Sequence, residues 1–296
     1  MLLFLPLELN KVSDTPVMKY LRTAFVALLF ACSTAASAQD DQARRDVAEL
    51  VELSGLSTII QSVPRNMADS ISNGDFIDIS DLSKDDIDTL KDILISSFDT
   101  KLLEEDIDKQ LLEKYDPTRA TTVLTKFRAP LSRRFTDLEK QANSPAAAKD
   151  FEQFVTNLAL HAPDPGRVEL LKELDQVSHS TDIAILIQIA IAKTLVQSVS
   201  VFDSNRRPLS PSQMNDLVLA LKDQLSTSVR NHILIWSLYA YRSLTDKDIK
   251  AYIDMYQNDD MQWFIRISST ALVKAMGHSA ENAGQSIATL RNAQQI

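Results

Sequence analysis

Glycine is scarce: five residues in a chain of 296, at Gly55, Gly74, Gly166, Gly277 and Gly284. Hairpins and sheets depend on turns with positive φ, which glycine supplies, so the shortage argues against a β-rich fold. It also removes phosphate-cradling loops and dinucleotide-binding turns, which need clustered glycines, and the nucleophile elbow, which needs a glycine on each side of its serine. Cysteine is scarcer still, with Cys32 alone in the chain, so no disulfide framework and no Cys-ligated zinc is expected. The four histidines, His161, His179, His232 and His278, lie far apart and form no i, i+4 pair of the metalloprotease type. No metal or cofactor is expected. Lys and Arg number 31 against 40 Asp and Glu, a net charge of −9. An acidic surface repels phosphate backbones, so nucleic acid is not an expected partner.

What the sequence does have is helical spacing. Leu102, Leu103, Ile107, Leu111 and Leu112 recur at helical intervals, as do Ala120, Val123, Leu124 and Phe127, and again Phe151, Phe154, Val155 and Leu158. Period-2 alternation is nearly absent. Four prolines follow an N-cap residue, at Asp116-Pro117, Ser144-Pro145, Asp164-Pro165 and Ser210-Pro211, where proline suits the first helical position. Pro64 is the exception and is expected to kink or split the helix after Gly55. The segment Ile183 to Ala192 is apolar on every side except Gln188, which predicts a helix buried all round at the centre of the second half. That run is short of the ~20 residues that cross a bilayer.

The stretches LSKDDIDTL (82–90), LSPSQMNDL (209–217) and LTDKDIKAY (244–252) share one pattern. It predicts a capping box at each: Ser83 with Asp86, Ser210 with Gln213, and Thr245 with Asp248. Leu82, Leu209 and Leu244 would staple onto Ile87, Met214 and Ile249. Leu82 and Leu209 stand 127 apart, and Ala120, Leu124, Phe127 and Phe135 align with Ile249, Ile253, Tyr256 and Phe264 at an offset of 129. The fold class is therefore read as all-α, a helical bundle built from two similar multi-helix halves. The expected division is a first half at 39–142, a linker and connecting helix at 143–167, and a second half at 168–296.

The N-terminal region reads as a targeting signal. Residues 1–17 are taken as an over-called start, and 18–38 as a signal peptide: Met18, a basic region with Lys19 and Arg22, an apolar stretch Ala24 to Ala31, and small residues up to Ala36-Ser37-Ala38. Cleavage between Ala38 and Gln39 would release a periplasmic or secreted protein with no transmembrane span. The alternative is a lipoprotein anchored through Cys32, whose setting LLFAC places it at the end of the apolar stretch.

The signal segment, the helix ending in LVELSG and the closing LTDKDIKAYIDMYQNDDMQWF resemble the secreted bacterial all-helical family catalogued as domain of unknown function 2059. That family shows Phe-Tyr, a residue, Ser-Pro, a residue, then Gly. Met255-Tyr256, Asn258, Asp259 and Met261 take those places here, and Phe127, Ala129, Pro130 and Ser132 take them in the first half. The resemblance implies an exported helical fold and no particular reaction or catalytic residue.

Two clusters compete as sites. Asp75, Asp78, Asp81, Asp85, Asp86 and Asp88 invite a calcium loop, but the register puts Asp86 where the tight turn needs glycine and Asp92 where a bidentate Glu belongs. A solvated loop favouring the positive helix start at Lys84 is the simpler account. Trp236, Tyr239, Tyr241, Tyr252, Tyr256 and Trp263 crowd one C-terminal region. Rings at this spacing form core; alternatively Trp236, Tyr239, Tyr252, Tyr256 and Trp263 edge an interaction groove. The expected function is a non-enzymatic binding, scaffold or envelope-accessory module, able to form a homo-oligomer, whose partner is an envelope protein or a hydrophobic ligand. The alternatives are a periplasmic hydrolase or lyase assembled from distant residues such as His232, and a carrier with a cavity lined by the Ile183 to Ile191 helix.

Overall fold

The computed structural model describes residues 39–74, 82–202 and 209–294, and the fold below is that of the compact unit Asp46–Ile296. The assignments of residues 1–17, of the signal peptide, of Cys32 and of Ala38, together with Asp75, Asp78 and Asp81 of the acidic stretch, lie outside the described residues. Gln39 is the first described residue and opens a helix.

The protein is an all-α bundle, and among the described residues there is no strand. In chain order come α1 (39–53), α2 (Leu56–Asn73), α3 (Lys84–Ser97), α4 (Thr100–Glu113), α5 (Pro117–Arg128) and α6 (Pro130–Ala142). After a 3₁₀ turn at Pro145–Ala147 follow α7 (Ala148–Leu160), α8 (Pro165–Ser178), α9 (Ser180–Phe202), α10 (Pro211–Ala240), α11 (Asp246–Tyr256) and α12 (Asp259–Gln294).

All three capping boxes form. Ser83, Ser210 and Thr245 accept from the backbone N–H of Asp86, Gln213 and Asp248, whose side chains in turn accept from the cap backbone N–H. Each satisfies two of the orphan donors at a helix start. Leu82 and Ile87 pack on one core cluster and Leu244 and Ile249 share another, whereas Leu209 stays 39% exposed while Met214 is buried. Asp116 and Asp164 cap α5 and α8 ahead of their prolines. Ser144 precedes only the 3₁₀ turn and makes no side-chain cap bond.

Pro64 does not split its helix: α2 runs unbroken from Leu56 to Asn73. A mid-helix proline costs ~3 kcal/mol. Ile60, Val63, Met67 and Ile71 are all fully buried around it, and at ~1.5–3 kcal/mol for each buried side chain that packing outweighs the lost hydrogen bond.

The helices of the two sequence halves interleave. α12 packs on α3, α4 and α5 as well as on α9, while α6 packs on α10 and α11. The largest core cluster accordingly joins Ile60 and Met67 of α2, Leu90 and Leu94 of α3 and Leu103 and Ile107 of α4 with Leu195 of α9 and Leu272 and Met276 of α12. A second cluster centres on Phe135 of α6, enclosed by Leu171 and Leu174 of α8, Leu238 and Tyr241 near the end of α10, and Ile249 and Tyr252 of α11. Arg167 of α8 ties this region together: its Nη1 lies 2.7 Å from Asp246 Oδ1, and its Nη2 donates to the Tyr241 carbonyl at 2.6 Å.

α9 departs from the expected all-round burial. Ile185, Ile189 and Ile191 are buried, but Leu186 is 41% exposed, and Ile183, Ala184 and Ile187 are only half-buried. Its segment Ser180–Ser198, 19 residues, is long and apolar enough to cross a membrane by length and composition. In the fold, one side packs on α12, another on α10, and Ile183, Ala184 and Ile187 line a partly open cavity.

Candidate functional site

Two helix breaks open the cavity. Gly55 at φ 79° turns the chain from α1 into α2, and His179 at φ 56° turns it from α8 into α9. The left-handed region is routine for glycine and uncommon for histidine. Between the starts of α2 and α9, flanked by α6, α10 and α12, lies a cavity of about 420 Å³. Pockets of ~300–1,000 Å³ hold small organic ligands.

Its walls are largely apolar and aromatic. Ile59 of α2, Ile183, Ala184 and Ile187 of α9, Ile233 and Trp236 of α10, and Phe264, Ile265 and Leu272 of α12 all line it, with Phe127 and Tyr256 at the ends of α5 and α11. Into this lining α6 brings Thr136, Glu139, Lys140 and Asn143. Glu139 keeps some accessible surface because its carboxyl faces the cavity, yet it is enclosed by protein. Loss of solvation raises its pKa to about 7 against the opposing effect of a hydrogen bond from Tyr241. That bond is short, with the Tyr241 hydroxyl donating to Glu139 Oε1 at 2.6 Å. Burial and the adjacent carboxylate push the Tyr241 hydroxyl well above its ordinary range. Tyr256 is pushed up to about 12, first by burial and then by Glu139. Lys140 is half exposed and turned toward Glu52, 3.7 Å away.

The five aromatic residues of the expected groove part company. Trp236 and Tyr256 line the cavity. Tyr252 is buried behind them, its ring stacked on Phe135 at 3.7 Å and edge-on to Tyr256 at 5.0 Å. Tyr239 is buried against Phe151 and Phe154 of α7, with Arg242 over its ring at 4.1 Å. Trp263 belongs to a different cluster, with Arg119 over it at 5.8 Å.

His232 also lines the cavity, but at an exposed edge, meeting Phe151 edge-to-face at 6.3 Å. His278 pairs with Asp106 at 2.6 Å and His179 with Asp182 at 3.3 Å, both at exposed positions, and neither side chain is among the cavity walls. Among the described residues, no group of three or more His, Cys, Asp or Glu is placed to hold a metal ion.

Glu139 was not singled out by the sequence reading, although a signal exists. It follows buried Phe135 by four positions and buried Ser132 by seven, which puts a carboxyl on the apolar stripe of α6. The fold and cavity together define an all-α protein with a ligand-sized, partly open pocket, apolar on most sides and carrying a carboxyl in its wall. Comparison with family models, with curated proteins and with solved structures gives no match.

Proposed function

We propose that the protein is an exported, non-enzymatic binding module that holds a small, largely apolar ligand in the cavity between α2, α6, α9, α10 and α12. The observation that carries the proposal is the cavity itself, whose volume of about 420 Å³ falls within the range of ligand sites. The exposed position of His232, edge-on to a phenylalanine and bonded to no carboxylate, favours binding over hydrolysis. The acidic composition and the N-terminal signal pattern favour the periplasm, in keeping with the exported family that LVELSG and the closing helices resemble. Intact mass and N-terminal sequencing of the exported protein should give Gln39 as the first residue; a lipidated Cys32 would replace the soluble form with an anchored one. For the cavity, titration with an uncharged apolar dye should show one saturable site, and Ile187→Trp, which fills the space from α9, should abolish it. A dye site unaffected by Ile187→Trp, or no site at all, refutes the proposal.

The proposal extends to the internal repeat. Its support is local geometry and packing. α1, the left-handed Gly55 and α2 parallel α8, the left-handed His179 and α9. The Ser83 cap followed by α3 and α4 parallels the Ser210 cap followed by α10. Thr136, Glu139, Lys140 and Asn143 of α6 face Ile265, Ser268, Ser269 and Leu272 of α12 across the cavity, each 129 positions apart. Each half sends its last helix onto the other half, α12 onto α3 and α4, and α6 onto α10.

A further inference from the structure

We propose that the occupant of the cavity is a small amphipathic amine, its protonated nitrogen seated at Glu139 and its apolar body running along Ile183 and Ile187. The inference rests on the reading of the cavity as a binding site and assigns the chemistry of its ligand.

The hydrogen-bonding inventory of the interior carries it. Ser62, Thr136, Ser268 and Ser269 all spend their hydroxyl protons on carbonyls of their own helices, those of Ile59, Ser132, Phe264 and Ile265. Tyr241 spends its proton on Glu139 Oε1, and the other carboxyl oxygen has no partner among the described residues. The donors that remain on the walls are the Trp236 indole N–H, the Thr58 hydroxyl and the Asn143 amide, with His232 at the exposed edge and Lys140 paired to Glu52; the acceptor that stands out among them is the second oxygen of Glu139. A ligand group that meets that oxygen must donate, and an ammonium group donates three times and brings the opposite charge. The carboxyl is flanked by rings: Tyr241 bonds it directly, and the Trp236 ring lies 6.0 Å from that of Tyr241 at 79°. Aromatic faces beside a carboxylate suit a cation in a desolvated site.

The charges around Glu139 permit this. On its own helix Lys140 leans outward to Glu52 of α1. α10 contributes His232 at the rim and Tyr241; α11 contributes Tyr256, with Tyr252 behind it. α2, α9 and α12 face the cavity with apolar and hydroxyl groups. Near neutral pH the empty site carries its carboxyl partly protonated, since burial raises the group to about 7. An ammonium ion binds the ionised form, so binding releases a proton and tightens as pH rises.

The test uses three probes with the same eight-carbon tail, octylamine, octanol and octanoate, titrated calorimetrically into the purified protein at pH 6, 7 and 8 in buffers of different ionisation enthalpy. Octylamine should bind at least about tenfold more tightly than octanol at pH 8, lose about tenfold between pH 8 and pH 6, and release protons at pH 7. Glu139→Gln should bring octylamine down to the octanol value measured in the same variant and abolish the proton release. Tyr241→Phe, which keeps the carboxyl, should retain the preference for the amine. Octanoate binding as tightly as octylamine, or an amine preference that survives Glu139→Gln, overturns the amine assignment and leaves the apolar cavity standing. Failure of all three probes to bind overturns both.

Discussion

Replacing Glu139 with Gln should stabilise the protein, and by an amount that depends on pH. The side chain keeps its shape, and the Gln amide oxygen can still accept from the Tyr241 hydroxyl. What disappears is an ionisable group whose folded-state pKa is raised from 4.5 to about 7 by burial. Below 4.5 the carboxyl is protonated in folded and unfolded chains alike. As pH rises toward 7 the unfolded chain ionises freely while the folded one resists, so the folded state loses the stability it held at low pH. At 1.4 kcal/mol per tenfold change, the full interval corresponds to about 3 kcal/mol. Glu139 keeps some solvent exposure, which screens part of that, so we expect Glu139→Gln to gain about 2 kcal/mol over the parent at pH 8 and almost nothing at pH 4.5. Urea unfolding of both proteins at pH 4.5, 6 and 8 measures the difference directly, with the background titration of every other carboxylate cancelling between them. A difference that is flat with pH, or a Gln variant less stable than the parent at pH 8, would refute the placement of this carboxyl in a desolvated wall.

Other consequences follow from the packing. Phe135 is fully buried and stacked on Tyr252, so Phe135→Ala should cost about 3–5 kcal/mol in the same unfolding experiment. Thr245→Ala removes the bond from the Asp248 backbone N–H and the hydroxyl that donates to its carboxylate, while the Thr245 backbone N–H bond to that carboxylate survives. It should cost about 1 kcal/mol, and since Thr245 is exposed the loss should leave ligand binding unchanged.

The features legible in the sequence are those decided within one turn of helix. The boxes at Ser83, Ser210 and Thr245 depend on a side chain and a backbone N–H three residues on, and proline after Asp116 or Asp164 depends on a fixed φ; no distant contact can alter either. Pro64 went otherwise because the cost of one lost hydrogen bond is local while the burial of Ile60, Val63, Met67 and Ile71 is tertiary. α9 went otherwise for a related reason: apolar residues all round a helix say that each face avoids water, but a face toward a cavity, as at Ile183 and Ile187, satisfies that as well as a face toward packed side chains does. The aromatic residues near the C-terminus dispersed because Tyr239, Tyr252 and Trp263 each turn to a different neighbour, α7, α6 and α5, directions that spacing along one helix does not encode. The cavity is the least legible feature, since its walls come from α2, α6, α9, α10 and α12 and only the juxtaposition makes them one surface.

That juxtaposition also fixes a direction. Under the proposed repeat Glu139 of α6 matches Ser268 of α12, but their surroundings differ: Glu139 accepts from Tyr241, while Ser268 is 9% exposed and donates to the Phe264 and Ile265 carbonyls. A carboxyl at position 268 would find no hydroxyl donor of the Tyr241 kind, because Tyr115, which follows α4 as Tyr241 follows α10, donates to Asp46 and is not among the cavity walls. Ser268→Glu should therefore destabilise the fold by about 3 kcal/mol or more at pH 8, where the buried group must ionise or hold a proton against solvent, and by less at pH 4.5. If Ser268→Glu were tolerated at pH 8 as readily as Glu139 is, the two walls would be equivalent and an amphipathic ligand could lie either way round. With the polar end confined to α6 and Tyr241, the proposed repeat would not extend to the site, and an occupant of the proposed kind would be held in a single orientation.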